Sequence, residues 1–255
     1  MPRADKARVL VEVAVDSVAG ARAAASAGAD RLELCCGLLE GGLTPSMGLL
    51  AEVRAAVAIP VFAMVRPRGG DFLYDDEDFA VMRRDVAYLR AAGAAGLVTG
   101  LLTAAGELDA VRLAELQALA GPLPITCHRA FDLCRDPRQA LAELIELGIP
   151  RVLSSGQAAN APAGRVLLRE LVALAGPRLT VMAGAGVRPD NVAALVAATG
   201  CTEVHLSATS WRDSGMVFRR DGVPMGSGTP PGEYARRATD PGLVAAVVAA
   251  ARSGS

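Results

Sequence analysis

The feature that most constrains the fold is a repeated alternation of short apolar segments with longer alanine- and leucine-rich segments. The short segments are almost continuously apolar, which is typical of parallel strands covered on both faces. They lie near 9–15, 30–35, 60–66, 96–100, 123–128, 150–154, 178–183 and 202–207. The longer segments have a helical pattern and lie near 17–27, 46–57, 76–92, 109–120, 136–147, 163–175, 189–198 and 240–252.

Eight strand–helix units predict a closed (β/α)8 barrel, the TIM-barrel architecture. The alternative is an open doubly wound sheet, but no GxGxxG sequence follows the first strand. Barrels commonly reach this length as one unit, so we expect a single domain over 1–255. Three connections are unusually long, at 35–45, 66–75 and 208–239, and the last of them precedes the final helix. Such connections commonly form lids, binding loops or oligomer contacts.

Composition argues against several classes of function. The formal net charge is −1 and no basic stripe is visible, so we expect neither nucleic acid nor a membrane as a partner. The longest apolar run, 243–251, is too short to span a membrane, and no signal peptide is visible. Lys6 is the only lysine, which argues against Schiff-base chemistry. Five cysteines without a CxxC spacing indicate a reduced compartment, and we expect a cytoplasmic location.

Charged and polar side chains come late in several of the predicted strands. Alternation along a strand places Glu33 and Cys35 on one face, and Met64 and Arg66 on one face. Because the other face packs under helices, we expect these side chains to point into the barrel mouth. The residues predicted to converge there are Glu12, Glu33, Arg66, His128 and His205, with Cys35 beside them and Arg129 and Asp132 on the loop after the fifth strand.

The predicted cluster has two interpretations. In the first it is a paired polar layer, in which Glu12 and Glu33 bind Arg66 and Arg129, because buried charges must be paired. In the second it is a binding or catalytic site, where the glutamates and a histidine carry acid–base chemistry and the arginines hold a carboxylate or phosphate. Barrels concentrate function at this face, which favours the second interpretation.

Loops after the later strands could contribute to anion binding. Gly184 and Gly186 precede a helix, where backbone N–H groups can bind an anion, although the two glycines are equally consistent with a tight turn. Ser154 and Ser207 follow other strands and could assist. For Cu(I), which prefers thiolate and thioether ligands, strand alternation allows Cys35, Met64 and Met182 to reach one site. A single cysteine is, however, commonly a small buried apolar residue.

Seven segments, spread over nearly the whole chain, resemble the CutC family. They are GADRLELC at 28–35, EGGLTPSMG at 40–48, RPRGGDFLY at 66–74, HRAFD at 128–132, SSGQ at 154–157, MAGAGVRP at 182–189 and EVHLSA at 203–208. The resemblance implies a TIM barrel with a role in copper homeostasis. It also implies copper, as Cu(I), as the bound ion, with Cys35 as the metal ligand carried over first. The family's most distinctive segments nevertheless carry glutamate, arginine, histidine and aspartate rather than cysteine.

Two functional hypotheses follow. The first is a cytoplasmic copper homeostasis protein that binds Cu(I) through Cys35. The alternative is a TIM-barrel enzyme that acts by acid–base chemistry on a small anionic metabolite. Its candidate catalytic residues are Glu12, Glu33, His128 and Asp132, and its candidate ligand-binding residues are Arg66, Arg68, Arg129, Ser154, Gly184, Gly186, His205 and Ser207. A third possibility is an interaction scaffold, and in each case we expect a homodimer or higher homo-oligomer, with 208–239 as a candidate contact.

Overall fold

The computed structural model describes residues 8–220, 222–223 and 232–253. Within these ranges eight parallel strands pair in chain order, and the last strand pairs with the first to close a barrel. The strands are β1 (Leu10–Val15), β2 (Arg31–Leu34), β3 (Val61–Met64), β4 (Gly96–Thr99), β5 (Ile125–Cys127), β6 (Arg151–Ser154), β7 (Thr180–Ala183) and β8 (Glu203–Leu206). The predicted (β/α)8 barrel is confirmed.

Eight helices alternate with the strands. They are α1 (Val18–Ser26), α2 (Met47–Ala56), α3 (Asp76–Ala91), α4 (Ala110–Ala120), α5 (Pro137–Glu146), α6 (Arg165–Ala175), α7 (Val192–Thr199) and α8 (Pro241–Ser253). Local sequence sets several helix starts: Ser17 accepts a hydrogen bond from Gly20 N, and Asp136 accepts from Arg138 N. Each such cap stabilises a helix by about 1 kcal/mol. In the described ranges, none of the helices has the length and apolar character that crossing a bilayer would need.

The barrel interior differs from the apolar layer between barrel and helices. Interior contacts are recognisable because they join strands that are not neighbours. Arg31 on β2 binds Glu203 on β8, and the guanidinium of Arg151 on β6 lies 5.6 Å from the ring centroid of Phe62 on β3. The interior therefore contains charged side chains. A small apolar cluster of Cys35, Phe62, Met64 and Val98 lies beside them, and the Phe62 ring contacts both Arg31 and Arg151.

The connection over 208–239 contains secondary structure that we did not predict. Strand β9 (Thr209–Asp213) pairs antiparallel with β10 (Ala235–Thr239), so the two ends of the connection form a ribbon. Both strands are polar and largely exposed, and they lack the continuous apolar pattern that identified the barrel strands. The residues at 224–231 within this connection, and 1–7 and 254–255 of the predicted domain, lie outside the described residues.

Candidate active site at the barrel mouth

A cavity of about 520 Å³ opens at the end of the barrel where the strands reach their carboxyl termini. Loops that follow the strands meet at this face, which is where barrels of this architecture carry function. The cavity extends from β1, β2 and β8 to the ribbon and α8. Its polar side chains are Glu33, Arg129, Arg188, His205, Ser207, Thr209 and Arg237.

Beneath the cavity, a chain of ion pairs crosses the barrel interior. Arg31 binds Glu12 through Nε and binds Glu203 through Nη2 at 2.6 Å. Arg151 binds both carboxylate oxygens of Glu203, at 2.6 and 3.0 Å. Arg31, Glu12 and Glu203 are buried, so each of these charges depends on its partners.

Sequence reasoning missed Arg31, Arg151 and Glu203 in this ion-pair network, although a signal was present for Arg31 and Glu203. Arg31 lies two positions before Glu33 on β2, and Glu203 lies two positions before His205 on β8, so strand alternation places each pair on one face. The first interpretation, in which Glu12 and Glu33 pair with Arg66 and Arg129, is wrong: Glu12 pairs with Arg31, while Arg66 binds loop carbonyl oxygens and Arg129 binds Asp132.

His205 is held by Glu12. Its Nδ1 lies 2.8 Å from Glu12 Oε1, and its Nε2 lies 3.9 Å from Glu33 Oε1. Burial alone would raise the pKa of Glu12, but the hydrogen bond with His205 and the charge of Arg31 lower it to about 2. Burial acts to lower the pKa of His205, yet the charge of Glu33 and the bond to Glu12 raise it. Since Glu12 is ionised, Nδ1 donates to it and Nε2 faces Glu33.

Glu33 is a buried carboxyl group that borders the cavity. It is 4% exposed, and its Oε2 has no hydrogen-bond partner among the residues that the structure describes. Burial is the main cause that raises the pKa of Glu33 to about 7. Buried polar atoms in folded proteins are nearly always bonded, so an unbonded carboxylate oxygen beside a cavity indicates a place for a ligand.

Arg66 and His128 form a separate group that does not line the cavity. Arg66 donates to the carbonyl oxygens of Glu40, Gly42 and Gly70 at 2.6, 3.1 and 2.9 Å. The ring of His128 lies 4.8 Å from that of Phe72, and burial lowers its pKa to about 3. The predicted convergence is therefore only partly correct: the structure brings Glu12, Glu33 and His205 together, and it ties Arg66 to the loops.

Asp132 joins the loops that follow β5 and β6. Its Oδ1 accepts from Ser154 Oγ at 2.6 Å and from Gln157 N at 3.2 Å, while Oδ2 accepts from Ser155 Oγ and Arg129 Nε at 2.9 and 2.8 Å. Both oxygens are thus occupied, and the carboxylate fixes Arg129 at the cavity wall. The catalytic role of Asp132 stays a prediction.

Arg68 lies outside the cavity. It binds Asp78 at 2.7 Å and Asp71 at 3.3 Å, and its guanidinium stacks on Tyr74, so it fastens the loop after β3 to the start of α3. Its role as a ligand-binding residue stays a prediction, because the loop contacts already engage the guanidinium.

The loops after β7 and β8 approach the cavity with unusual backbone. Gly186 and Ser207 line it, whereas Gly184 packs inside the barrel, where a Cβ would lie 2.4 Å from Leu153 Cδ1. Two cavity residues that sequence could not identify are Ala185 and Ala208, with φ of 72° and 42°. Strained non-glycine backbone is common at functional sites, but alanine in a sequence carries no signal of it.

Cys35 belongs to the small apolar cluster that also contains Phe62, Met64 and Val98. A Cβ at Gly42 would lie 3.2 Å from Cys35 Sγ and 3.4 Å from Met64 Cε, so the two sulfur-bearing side chains are neighbours beneath that glycine. Met182 instead contacts Arg31. Burial and the nearby Glu33 raise the pKa of the Cys35 thiol far above its ordinary range. A cysteine thiolate and a methionine thioether are ligands that suit Cu(I). Burial beside Glu33, however, disfavours the deprotonated thiolate that would bind the ion.

The family model of CutC matches residues 9–210 of this chain. A CutC family protein of Chromobacterium violaceum is 52% identical over 239 residues, which are 93% of this chain and 96% of that protein. The human copper homeostasis protein cutC homolog is 48% identical over 231 residues, 91% of this chain and 85% of that protein. A solved CutC structure from Streptococcus agalactiae has a TM-score of 0.74 at 29% identity and covers 77% of this chain and 97% of its own. This chain belongs to the CutC family.

Proposed function

We propose that the mouth cavity binds a small metabolite with a phosphate or carboxylate group and acts on it by acid–base chemistry. The observation that carries this proposal is the placement of three arginines around one cavity whose wall also contains Glu33 and His205. Arginine binds carboxylate and phosphate groups in a bidentate manner, so the wall suits an anion.

The three arginines come from three different loops. Arg129 is held by Asp132, Arg237 on β10 lies with its guanidinium 5.7 Å from the ring of Trp211, and Arg188 precedes α7 and is exposed. Gly186 adds backbone from the loop after β7, and loops after the seventh and eighth strands commonly bind phosphate in barrels. A ligand anion bridging these loops would be held from several sides.

Proton transfer within the cavity would use Glu33 or His205. Apart from the arginines, they are the ionisable side chains that line it among the residues that the structure describes. A general acid or base must lie within hydrogen-bond reach of the ligand, which favours this pair over His128 on positional grounds. Glu12 supports the pair by holding His205 Nδ1.

We place this activity within copper homeostasis, the role that the names of its relatives attach to the family. A second candidate function is direct Cu(I) binding through Cys35. It is supported by the proximity of the Cys35 and Met64 side chains, because a thiolate and a thioether are ligands that Cu(I) prefers.

The test of the metabolite site is calorimetric titration with inorganic phosphate and a panel of sugar phosphates and hydroxy acids. We expect an Arg188→Ala/Arg237→Ala double variant to bind the best of these ligands at least about 10-fold more weakly, because charge-assisted hydrogen bonds are lost. Arg178→Ala, at the far end of α6, is the matched control and should bind normally. Equal affinity in the double variant would contradict the anion site.

We further propose a cytoplasmic location and a homo-oligomer. All five cysteines are free thiols in the structure, as in proteins of reducing compartments. Trp211, Phe218 and Leu243 are exposed on or near the ribbon, and exposed apolar side chains of this kind are common in protein contacts. Cell fractionation and sedimentation velocity test the two statements separately.

A further inference from the structure

Three ligand-bearing side chains meet on adjacent strands at the floor of the cavity. Glu12, Glu33 and His205 each offer one donor atom, and these atoms lie within 4.8 Å of one another. The register places Glu12 opposite His205 and Ala14 opposite Glu33, so rigid strand pairing fixes the cluster. Sites built on strands are held more accurately than sites on loops.

The gap between His205 and Glu33 is the length that a metal ion spans. His205 Nε2 and Glu33 Oε1 are 3.9 Å apart, which is too long for a hydrogen bond. A metal ion with bonds of about 2.0–2.2 Å to nitrogen and oxygen would bridge them with little movement of either side chain. Glu33 is only 4% exposed and its Oε2 has no hydrogen-bond partner among the described residues. This independently indicates that the carboxyl group binds a ligand or an ion.

The Nδ1 atom of His205 is hydrogen-bonded to a carboxylate, as is common for histidines that bind a metal through Nε2. Glu12 Oε1 lies 2.8 Å from Nδ1, and Arg31 binds the second oxygen of Glu12. A histidine that ligates a metal through one nitrogen commonly donates the N–H of the other to a carboxylate, which fixes the tautomer and the ring orientation. With Nδ1 bonded to Glu12, Nε2 is the nitrogen left to bind a metal ion, and it lies 3.9 Å from Glu33 Oε1.

The ion pairs of the buried network are compatible with a bound cation beside Glu33. Arg31 and Arg151 bind Glu12 and Glu203, and among the residues that the structure describes no guanidinium is bonded to Glu33. A cation held between Glu33 and His205 Nε2 would balance the charge of the Glu33 carboxylate. The cavity would then provide space for water or a ligand anion to complete the coordination.

We propose that His205 Nε2 and the Glu33 carboxylate bind a divalent metal ion of the Zn²⁺ class, with Glu12 as the outer carboxylate that orients His205. This inference rests on the cavity described under the proposed function and adds a metal to it. Imidazole nitrogen and carboxylate oxygen suit divalent first-row ions rather than Cu(I), so this site is distinct from Cys35.

The test is titration of chelator-treated protein with Zn²⁺ against a fluorescent competing chelator, with no anionic ligand present. We expect one Zn²⁺ per chain, and binding at least about 10-fold weaker in Glu33→Gln and His205→Ala and about 10–100-fold weaker in Glu12→Gln. Glu40→Gln, which changes an exposed glutamate of the loop after β2, is the matched control and should bind as the wild type does. Glu33→Gln keeps the size of the side chain. If His205→Ala fails to fold, Glu33→Gln therefore still tests the metal site.

A cobalt spectrum identifies the ligands directly. We expect Co²⁺ ligand-field bands that disappear in Glu33→Gln, without a thiolate-to-cobalt charge-transfer band. Zn²⁺ binding that is unchanged in both Glu33→Gln and His205→Ala, or that follows Cys35→Ala instead, would overturn the proposal. Wild-type protein that binds an anion but no Zn²⁺ would overturn the metal site and leave the proposed function intact. Zn²⁺ binding retained by Arg188→Ala/Arg237→Ala would support the metal site independently of the arginines.

Discussion

Arg31 connects the two ends of the buried ion network. It is 4% exposed, binds Glu12 and Glu203, and lies 5.0 Å from the ring centroid of Phe62. Through Glu12 it influences the orientation of His205, which borders the cavity. A residue that touches no part of the cavity thus supports the geometry of the candidate site.

Replacement of Arg31 should be strongly destabilising. We expect Arg31→Met to lower the free energy of unfolding by about 3–5 kcal/mol, because it removes the guanidinium between two buried carboxylates and leaves Glu12 without its arginine partner. The control is Arg138→Met, since Arg138 pairs with Glu170 on the surface and such pairs contribute about 0–1 kcal/mol. Urea unfolding of both variants measures the difference, and equal losses would contradict the role given to Arg31.

The residues that sequence could place are those governed by strand alternation alone. Glu12, Glu33 and His205 were predicted at the mouth, and the structure brings them together. The partner of each charge was not predictable, because it depends on which side chains meet across the interior. Arg66 illustrates the limit: its strand was predicted, but its carbonyl partners depend on how the loops after β2 and β3 fold back.

At the scale of elements, the mouth depends on loops that are fastened to each other. Asp132, on the loop after β5, accepts hydrogen bonds from Ser154, Ser155 and Gln157 in and after β6. These contacts hold two neighbouring loops together and orient Arg129. The loop after β5 is therefore a structural support for the cavity wall.

Loss of the Asp132 carboxylate should release these loops. We expect Asp132→Ala to lower the free energy of unfolding by about 2–3 kcal/mol, because several hydrogen bonds to a charged acceptor are lost and the buried Ser154 hydroxyl loses its acceptor. Asp71→Ala is the control, since the side chain of Asp71 is 69% exposed. Thermal unfolding compares them, and a loss no greater than that of the control would show that Asp132 does not anchor the loops.

The elements themselves were predictable to the extent that their patterns were periodic. The barrel strands and helices were identified from apolar runs, and caps such as Ser46 and Asp109 were visible in the sequence. The ribbon of β9 and β10 was not predicted, because two largely exposed polar strands have no continuous apolar face to reveal them.

At the scale of the whole molecule, the sulfur-bearing side chains of Cys35 and Met64 belong to a small apolar cluster, and Cys35 is close enough to Glu33 for its pKa to be affected. Carboxylates, histidine and arginines lie on the side that opens into the cavity. Family membership points to copper homeostasis, and we propose the cavity as the place where this chain acts.

The most direct test of this account is a copper-tolerance assay in a host strain that lacks its own family member. Wild type, Glu33→Gln and Cys35→Ala would be expressed at equal levels, verified by immunoblot, and growth compared across copper concentrations. The account predicts that Cys35→Ala restores tolerance as wild type does and that Glu33→Gln does not. Restoration by Glu33→Gln together with failure of Cys35→Ala would contradict it and move the function to the buried thiol.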